Sequence, residues 1–372
     1  MYGIKPFQSI QVHIADIHFG AIDPEIQYNI LDEQFLKPIE NIPFNILAID
    51  GDLFDRKFIA SSKAIEMGIR FVNKCALLCE EKNAALILIS GTESHEAGQL
   101  SLFRDLGNSV FIECYVIERA MFVYTHGLKI LCIPEESGKG YDYYAPLLNQ
   151  VYDCVFMHGT IVGGVFGANK EDLNARRPVF DITSFAGCKG PIISGHVHEA
   201  MCLKEYMYYV SNPIRYKFGE ENPKGYGILI MNENGHYYQF MPITSFDYNT
   251  ITVKLANPDD IDGTINYINQ IKANTNGKLR IKLDNVSTVA SKAINQYFQQ
   301  QSSDIKIEIP REEKDGQPII NTTENILQKY EGMDYLIDPN LTSFNKLKRY
   351  INDSVGYNFV TEEELKNIYE GK

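Results

Sequence analysis

The chain has 372 residues, 44% of them hydrophobic and 22% charged, which is close to ordinary globular usage. At roughly 100–200 residues per domain this length predicts two to three domains with a sizeable core, and global disorder is excluded. Lys and Arg number 35 against 48 Asp and Glu, a net charge of −13, so a basic surface covering the whole chain is excluded. Carboxylates that hold divalent cations can still present positive charge to a phosphate.

In chain order, apolar runs at 9–15, 44–49, 84–90, 129–133, 155–158 and 191–194 predict buried strands, and 62–82 predicts a long helix opened by Ser61 or Ser62. The alternation argues for an α/β layered fold whose sheets are buried between other layers. The texture changes near 240–250. Beyond it, strands are expected at 250–255, 278–283 and 304–309, with helices at 259–272 and 287–300 between them, forming a smaller β-α-β-α-β domain. Residues 340–372 predict two short helices, one starting at Thr342 or Ser343 and one at Thr361, where Glu364 completes a capping box. The longest apolar run, 84–89, is far short of the roughly 20 residues of a membrane helix. The first ten residues lack a secretory pattern, so a cytoplasmic location without membrane insertion is expected. The 7 cysteines are an odd number without a CxxC pair, which fits a reducing compartment and thiols used as core filler.

Five polar clusters each follow an apolar run: Asp16-Ile-His18, Gly51-Asp52-Leu-Phe-Asp55, Gly91-Thr-Glu-Ser94-His95-Glu96, Met157-His158-Gly159 and Gly195-His196-Val-His198. Ligands of α/β proteins gather at the carboxyl ends of strands, so five such ends can converge on one site. D-x-H and H-x-H put two donors on one side of an extended segment. Oxygen and nitrogen donors without sulfur suit Mn, Fe or Zn more than Ca. Five of the 8 histidines lie in these clusters. His13 reads as structural, His126 in THG as ambiguous and His236 as an exposed hairpin residue.

The order D-x-H, G-D-x-x-D, a G-x-H-[DE]-like loop, H-G and G-H-x-H resembles the calcineurin-like metallophosphoesterases. The stretch 209–231 (YVSNPIRYKFGEENPKGYGILIM) is similar to the segment after G-H-x-H in the SbcD-type, or meiotic-recombination-eleven, DNA nucleases, including their phage counterparts. The resemblance covers 9–232 and is only architectural beyond 250. It implies an αββα sandwich over 1–245, an α/β cap that binds DNA over 246–335, and C-terminal helices over 340–372 that bind an SbcC-like coiled-coil ABC ATPase. A homodimer formed through helices near 25–40 or 60–82 is also implied.

The implied activity is a DNA exonuclease or endonuclease of a recombination and double-strand-break processing complex, with two divalent metal ions, Mn²⁺ before Mg²⁺. Carried over by motif, Asp16, His18 and His198 hold the first metal, Asp52 bridges, and His158 and His196 hold the second. His95 assists the leaving oxygen and Asp55 orients. Arg56, Arg215 and Lys217 are candidate DNA contacts. The family usually places an asparagine before the histidine of the third motif, as a neutral ligand of the second metal. Here that residue is Ser94. Three readings follow: Ser94 is retained as the ligand by its hydroxyl or carbonyl, Glu93 or Glu96 substitutes, or the second metal binds weakly. The first is preferred. The competing readings are a metallophosphoesterase on a non-DNA phosphoester and a catalytically weakened scaffold.

Overall fold

The strand β1 (Gln8–Ile14) alternates the apolar Ile10, Val12 and Ile14 with polar residues and is buried over Gln11–Ile14, and β2 (Ile46–Asp50) and β3 (Ala85–Ile89) are buried at every residue. Such strands need cover on both faces. In this computed structural model the described residues are 8–308, apart from 97, 107–111, 163–178, 221, 245–247, 276 and 302–303. The C-terminal helices expected over 340–372, and the end of the expected cap beyond 308, lie outside them. The chain divides into two units, Met1–Pro310 and Arg311–Lys372, and all described residues belong to the first.

The chain continues through β4 (Cys114–Ile117), β5 (Met121–Thr125), β6 (Leu128–Ile133), β7 (Cys154–His158), β8 (Thr160–Val162) and β9 (Val179–Asp181). It then forms β10 (Ile192–Gly195), β11 (Met201–Leu203), β12 (Met207–Tyr209), β13 (Gly225–Asn232) and β14 (Gly235–Pro242). One six-stranded sheet has the order β14-β13-β1-β2-β3-β4, and a second has β11-β12-β10-β7-β6-β5. The pairs β1–β2–β3–β4 are parallel, as are β6–β7–β10–β12, so their carboxyl ends share an edge within each sheet.

The period-2 alternation sorts each strand between two cores. Ile46, Ala48, Ala85 and Ile87 of the first sheet share a cluster with Ile130, Cys132, Cys154 and Phe156 of the second. Leu47, Ile49, Leu86 and Leu88 instead join Phe71, Cys75 and Cys79 of the helix Lys63–Lys82. Leu131, Ile133, Val155 and Met157 join Tyr144 and Leu148 of the helix Tyr141–Leu148. The order of layers is therefore helix, sheet, sheet, helix. The long helix is opened by Ser62, whose hydroxyl accepts from the Ile65 N–H, and is closed by Asn83 at φ 52°. Truncating the fully buried Phe156 between the sheets should cost about 3–5 kcal/mol.

The smaller sheet is β15 (Tyr248–Lys254), β16 (Lys278–Asp284) and β17 (Ile305–Glu308), all parallel, with helices Ile261–Ala273 and Thr288–Gln301 as crossovers. Leu279, Ile281 and Leu283 pack with Ile268, Ile294 and Phe298 on one face. Among the described residues no helix is long and apolar enough to cross a membrane.

Candidate metal centre

Six strand ends supply the site. Asp16 and His18 follow β1, Asp52 and Asp55 follow β2, and Thr92, His95 and Glu96 follow β3. From the second sheet, Glu135 follows β6, His158 ends β7, and His196 and His198 follow β10. Backbone bonds stitch the first two loops together: Asp16 N donates to Gly51 O (3.0 Å) and His18 N to Asp52 O (2.8 Å). The buried Gln27 amide donates to the carbonyls of Ile17 and His18 from the helix Pro24–Leu31. Asp16, His18, Asp52 and His196 all have positive φ, between 49° and 82°. Each costs on the order of 1–3 kcal/mol, held by surrounding structure, and such strain gathers at functional sites. Gly51 at φ 92° is required by contact as well, since a Cβ there would sit 2.1 Å from His158 Nδ1.

The donors converge. Four overlapping groups, Asp16–His18–His198, Asp16–Asp52–His158, Glu135–His158–His196 and His18–Asp55–His95, each bring three ligand atoms within 4.8 Å of one another. His18 Nε2 and His198 Nε2 are 3.1 Å apart, and Asp16 Oδ1 is 3.6 Å from His198 Nε2. Asp52 Oδ2 lies 3.3 Å from His158 Nε2 and 3.7 Å from His18 Nε2. Donor atoms about 2.1 Å from a common ion would lie about 3–3.5 Å apart, and several of these spacings match.

The chemistry of the donor set fits a cation. His158 Nδ1 donates to the Asp50 carbonyl (2.8 Å), which turns Nε2 inward as the lone-pair atom. That Nε2 is fully buried and has no hydrogen-bond partner, although two carboxylates face it. A proton or a metal ion between them relieves the repulsion. Burial raises the Asp16 carboxyl above the usual range. For Asp52 burial acts in the same direction, but His158, His18 and His95 together outweigh it and hold the carboxyl below its ordinary value. Burial pushes His18 down to about 3, against the pull of Asp52, so its ring is neutral and ready to ligate. In His158 burial is overcome by Asp52 and Asp16, which lift it well above its ordinary value, so a metal ion would have to displace a proton there.

His95 sits 4.8 Å from His18 between ring centroids, and its Nδ1 hydrogen-bonds the Asp55 carbonyl, which leaves Nε2 to act on a bound group. The orientation expected from Asp55 thus comes from its backbone, while its carboxylate pairs with Arg56 Nε at 3.3 Å. Arg56 and Lys217 are exposed, and Arg215 is half-buried.

The third motif differs from the expectation. Ser94 is exposed on the short helix Glu93–Glu96, as is Glu93, and no described contact ties either to the donors. Glu96 is buried and turned away from them, with Oε1 accepting from Leu53 N and Oε2 from Gly91 N (2.7 Å). It clamps the second loop to the third, and burial with the nearby Asp52 charge raises it to about 8. The carboxylate that does meet His158 and His196 is Glu135, which the sequence reading did not single out.

Other contributing residues were also missed. Tyr216 places its hydroxyl against the Asp16 carbonyl (3.1 Å) and its ring against His18. Glu220 Oε1 faces His198 Nδ1 at 3.5 Å. Its burial is outweighed by the His198 hydrogen bond and the Lys224 charge, which bring it down to about 2. Lys224 Nζ donates to the His198 carbonyl (2.6 Å). All three stand in the 209–231 stretch noted above, where Arg215 and Lys217 were the residues given a role. His13 is structural as expected, buried against Asp50 at 2.8 Å. His126 belongs to the β5–β6 turn at φ 47°. His236, expected to be exposed, is half-buried against the Tyr208 hydroxyl.

No family model matches this chain, and no curated protein matches it. Among solved structures, one matched over 100% of its own length and 64% of this chain shares 11% identity at a TM-score of 0.40. A cold-active protein tyrosine phosphatase shares 13% identity, covering 63% of this chain and 77% of that one, at 0.31. A protein of unknown function from Aquifex aeolicus shares 14%, covering 48% and 90%, at 0.22. At these scores none carries an argument about this chain.

Proposed function

We propose that the chain is a divalent-metal-dependent phosphodiesterase that cleaves DNA, the nuclease subunit of an end-processing complex. The observation that carries the reading is the convergence of Asp16, His18, Asp52, His158, His196 and His198 from two sheets, with His95 at its border. Two bound ions, Mn²⁺ or Mg²⁺, would polarise a scissile phosphate and supply hydroxide near neutral pH. The chain's own residues do the rest. The carboxylates and imidazoles hold the charge in place in a buried setting. His95, with Nδ1–H held by the Asp55 carbonyl, can as the imidazolium give its Nε2 proton to the leaving oxygen and return to the neutral ring.

DNA as substrate is supported by the outer face of the small sheet. Opposite the Leu279–Ile281–Leu283 face, alternation sets Lys278, Arg280 and Lys282 beside Thr250, Thr252, Lys254 and Lys306, with Asp284 and Glu308 toward one end. This is a local basic surface on an acidic chain, and basic side chains of this kind bind a phosphate backbone. It connects to the site: Arg280 lies over the Phe218 ring at 4.7 Å, and Phe218 stands in the loop from which Tyr216 and Glu220 reach His18 and His198. The ATPase partner and the homodimer are proposed from the resemblance alone.

End-labelled duplex and single-stranded DNA, incubated with Mn²⁺, Mg²⁺ or EDTA beside an Asp52→Ala control, test the reading. Metal-dependent degradation absent from the control is expected. Hydrolysis of bis-p-nitrophenyl phosphate without DNA cleavage would select another phosphoester. No turnover of either would leave the scaffold reading.

A further inference from the structure

We propose that Glu135 is a metal ligand of this site, an anionic donor that serves the second ion in place of the neutral side chain lost at position 94. The inference rests on the two-ion reading above. Glu135 comes two residues after β6, which lies between β5 and β7 in the second sheet, so its carboxylate reaches the site from the sheet that does not carry the third motif. Its side chain is 4% exposed, and Oε2 lies 3.2 Å from His196 Nδ1. With His158 Nε2, the buried atom that lacks a partner, these form one three-donor group.

The altered third motif and Glu135 belong together. Thr92 N donates to Asp52 Oδ1 (2.6 Å), and Thr92 Oγ1 donates to Glu135 Oε2 (3.2 Å). One residue of the G-T-E-S-H loop thereby fixes both the carboxylate shared by the two halves of the site and the carboxylate of the second half. Glu135 N also donates to Ser90 O (3.3 Å), which ties the two sheets together beside the site. The loop supports the replacement ligand instead of providing one. The site then carries three carboxylates, Asp16, Asp52 and Glu135, and favours hard divalent ions such as Mn²⁺ and Mg²⁺.

The test is Mn²⁺ binding to the full chain, followed by calorimetry and by electron paramagnetic resonance, which reports two nearby Mn²⁺ ions as a coupled signal. Wild type is expected to bind two ions. Glu135→Ala should keep one, weaken the other by more than about 100-fold and lose the coupled signal, since a ligand should count for more than the roughly 10–100-fold typical of a residue that only orients one. Thr92→Val should weaken the same ion by about 10–100-fold, and Ser94→Ala should leave both. Thermal unfolding in EDTA checks that the variants fold, and the isosteric Glu135→Gln replaces Glu135→Ala if the latter does not. Two ions in the variant, with the weaker within about tenfold of wild type, overturn the role of Glu135 alone. A wild type that binds no Mn²⁺, or one ion only, overturns the two-ion reading and this inference with it.

Discussion

The two halves of the site are built differently. Asp16, His18 and His198 come from sharp loops, and although Asp16 and His18 are buried at 0% and 5%, the His198 side chain is 32% exposed and opens this half to solvent. Glu135, His158 and His196 are sealed, with side chains at 4%, 0% and 8%. The open half is where a substrate can enter, and the sealed half is where electrostatic interactions are strong because water is excluded. Asp52 lies between them, within 4 Å of a histidine from each half. Asp16 also reaches both, at 3.6 Å from His198 Nε2 and 4.0 Å from His158 Nε2, but Asp52 makes the closer approach to the sealed half, and the proposed bridging role falls to it.

The largest expected effect follows from that position. Asp52→Ala should remove both ions and bring hydrolysis to the background level, read by metal titration and by DNA degradation. If either half kept its ion at wild-type affinity, the bridging role would be lost. His95→Gln should separate chemistry from binding: kcat falls about 10²–10⁴-fold while both ions remain. Equal metal loss in the Asp52 and His95 variants would sink the division of roles.

The same contrast shows what the sequence could disclose. The buried strands were legible because covered parallel strands are apolar at nearly every position, and the expected run 84–90 became Ala85–Ile89. The helix 62–82 was legible from its serine cap and apolar face, and Ser62 is its N-cap. The motif donors were legible because each pairs with another polar residue at short spacing. Glu135 was not, because two adjacent glutamates, Glu135 and Glu136, after one strand are an ordinary surface pattern. Only the order β10-β7-β6 brings that strand end beside His158. Ser94, preferred as the ligand, is exposed, and Glu96, held as an alternative, serves another purpose for a related reason. Its place next to His95 suggested a ligand, but the helical turn Glu93–Glu96 directs it toward Leu53 and Gly91.

Glu96 gives the next effect in size, on stability. Glu96→Ala leaves two buried N–H groups without an acceptor, each costing about 1–3 kcal/mol, so a total of about 2–6 kcal/mol is expected. Denaturant unfolding in EDTA measures it. A change under about 1 kcal/mol would show that water replaces the clamp.

The smallest effect concerns the metal-free open half and its pH dependence. His18 titrates near 3 in the fold and at its ordinary value of 6.5 in the unfolded chain. Below pH 6.5 the unfolded chain takes up a proton that the folded ring refuses, so this group makes the fold less stable as pH falls toward 3. From pH 6.5 to 5 the loss approaches about 2 kcal/mol, at about 1.4 kcal/mol per pH unit. Glu96, raised to about 8, acts oppositely in that window, because there the folded carboxyl keeps a proton that the unfolded one has released. His158, lifted by Asp52 and Asp16, gives a contribution already complete below its ordinary value, lost only as pH rises through the raised one. The decisive quantity is therefore the difference between wild type and His18→Asn, in EDTA, across pH 6.5 to 5. Wild type should lose stability relative to the variant as pH falls. Parallel curves would mean that the folded ring accepts the proton, and that the open half is wetter than its burial indicates.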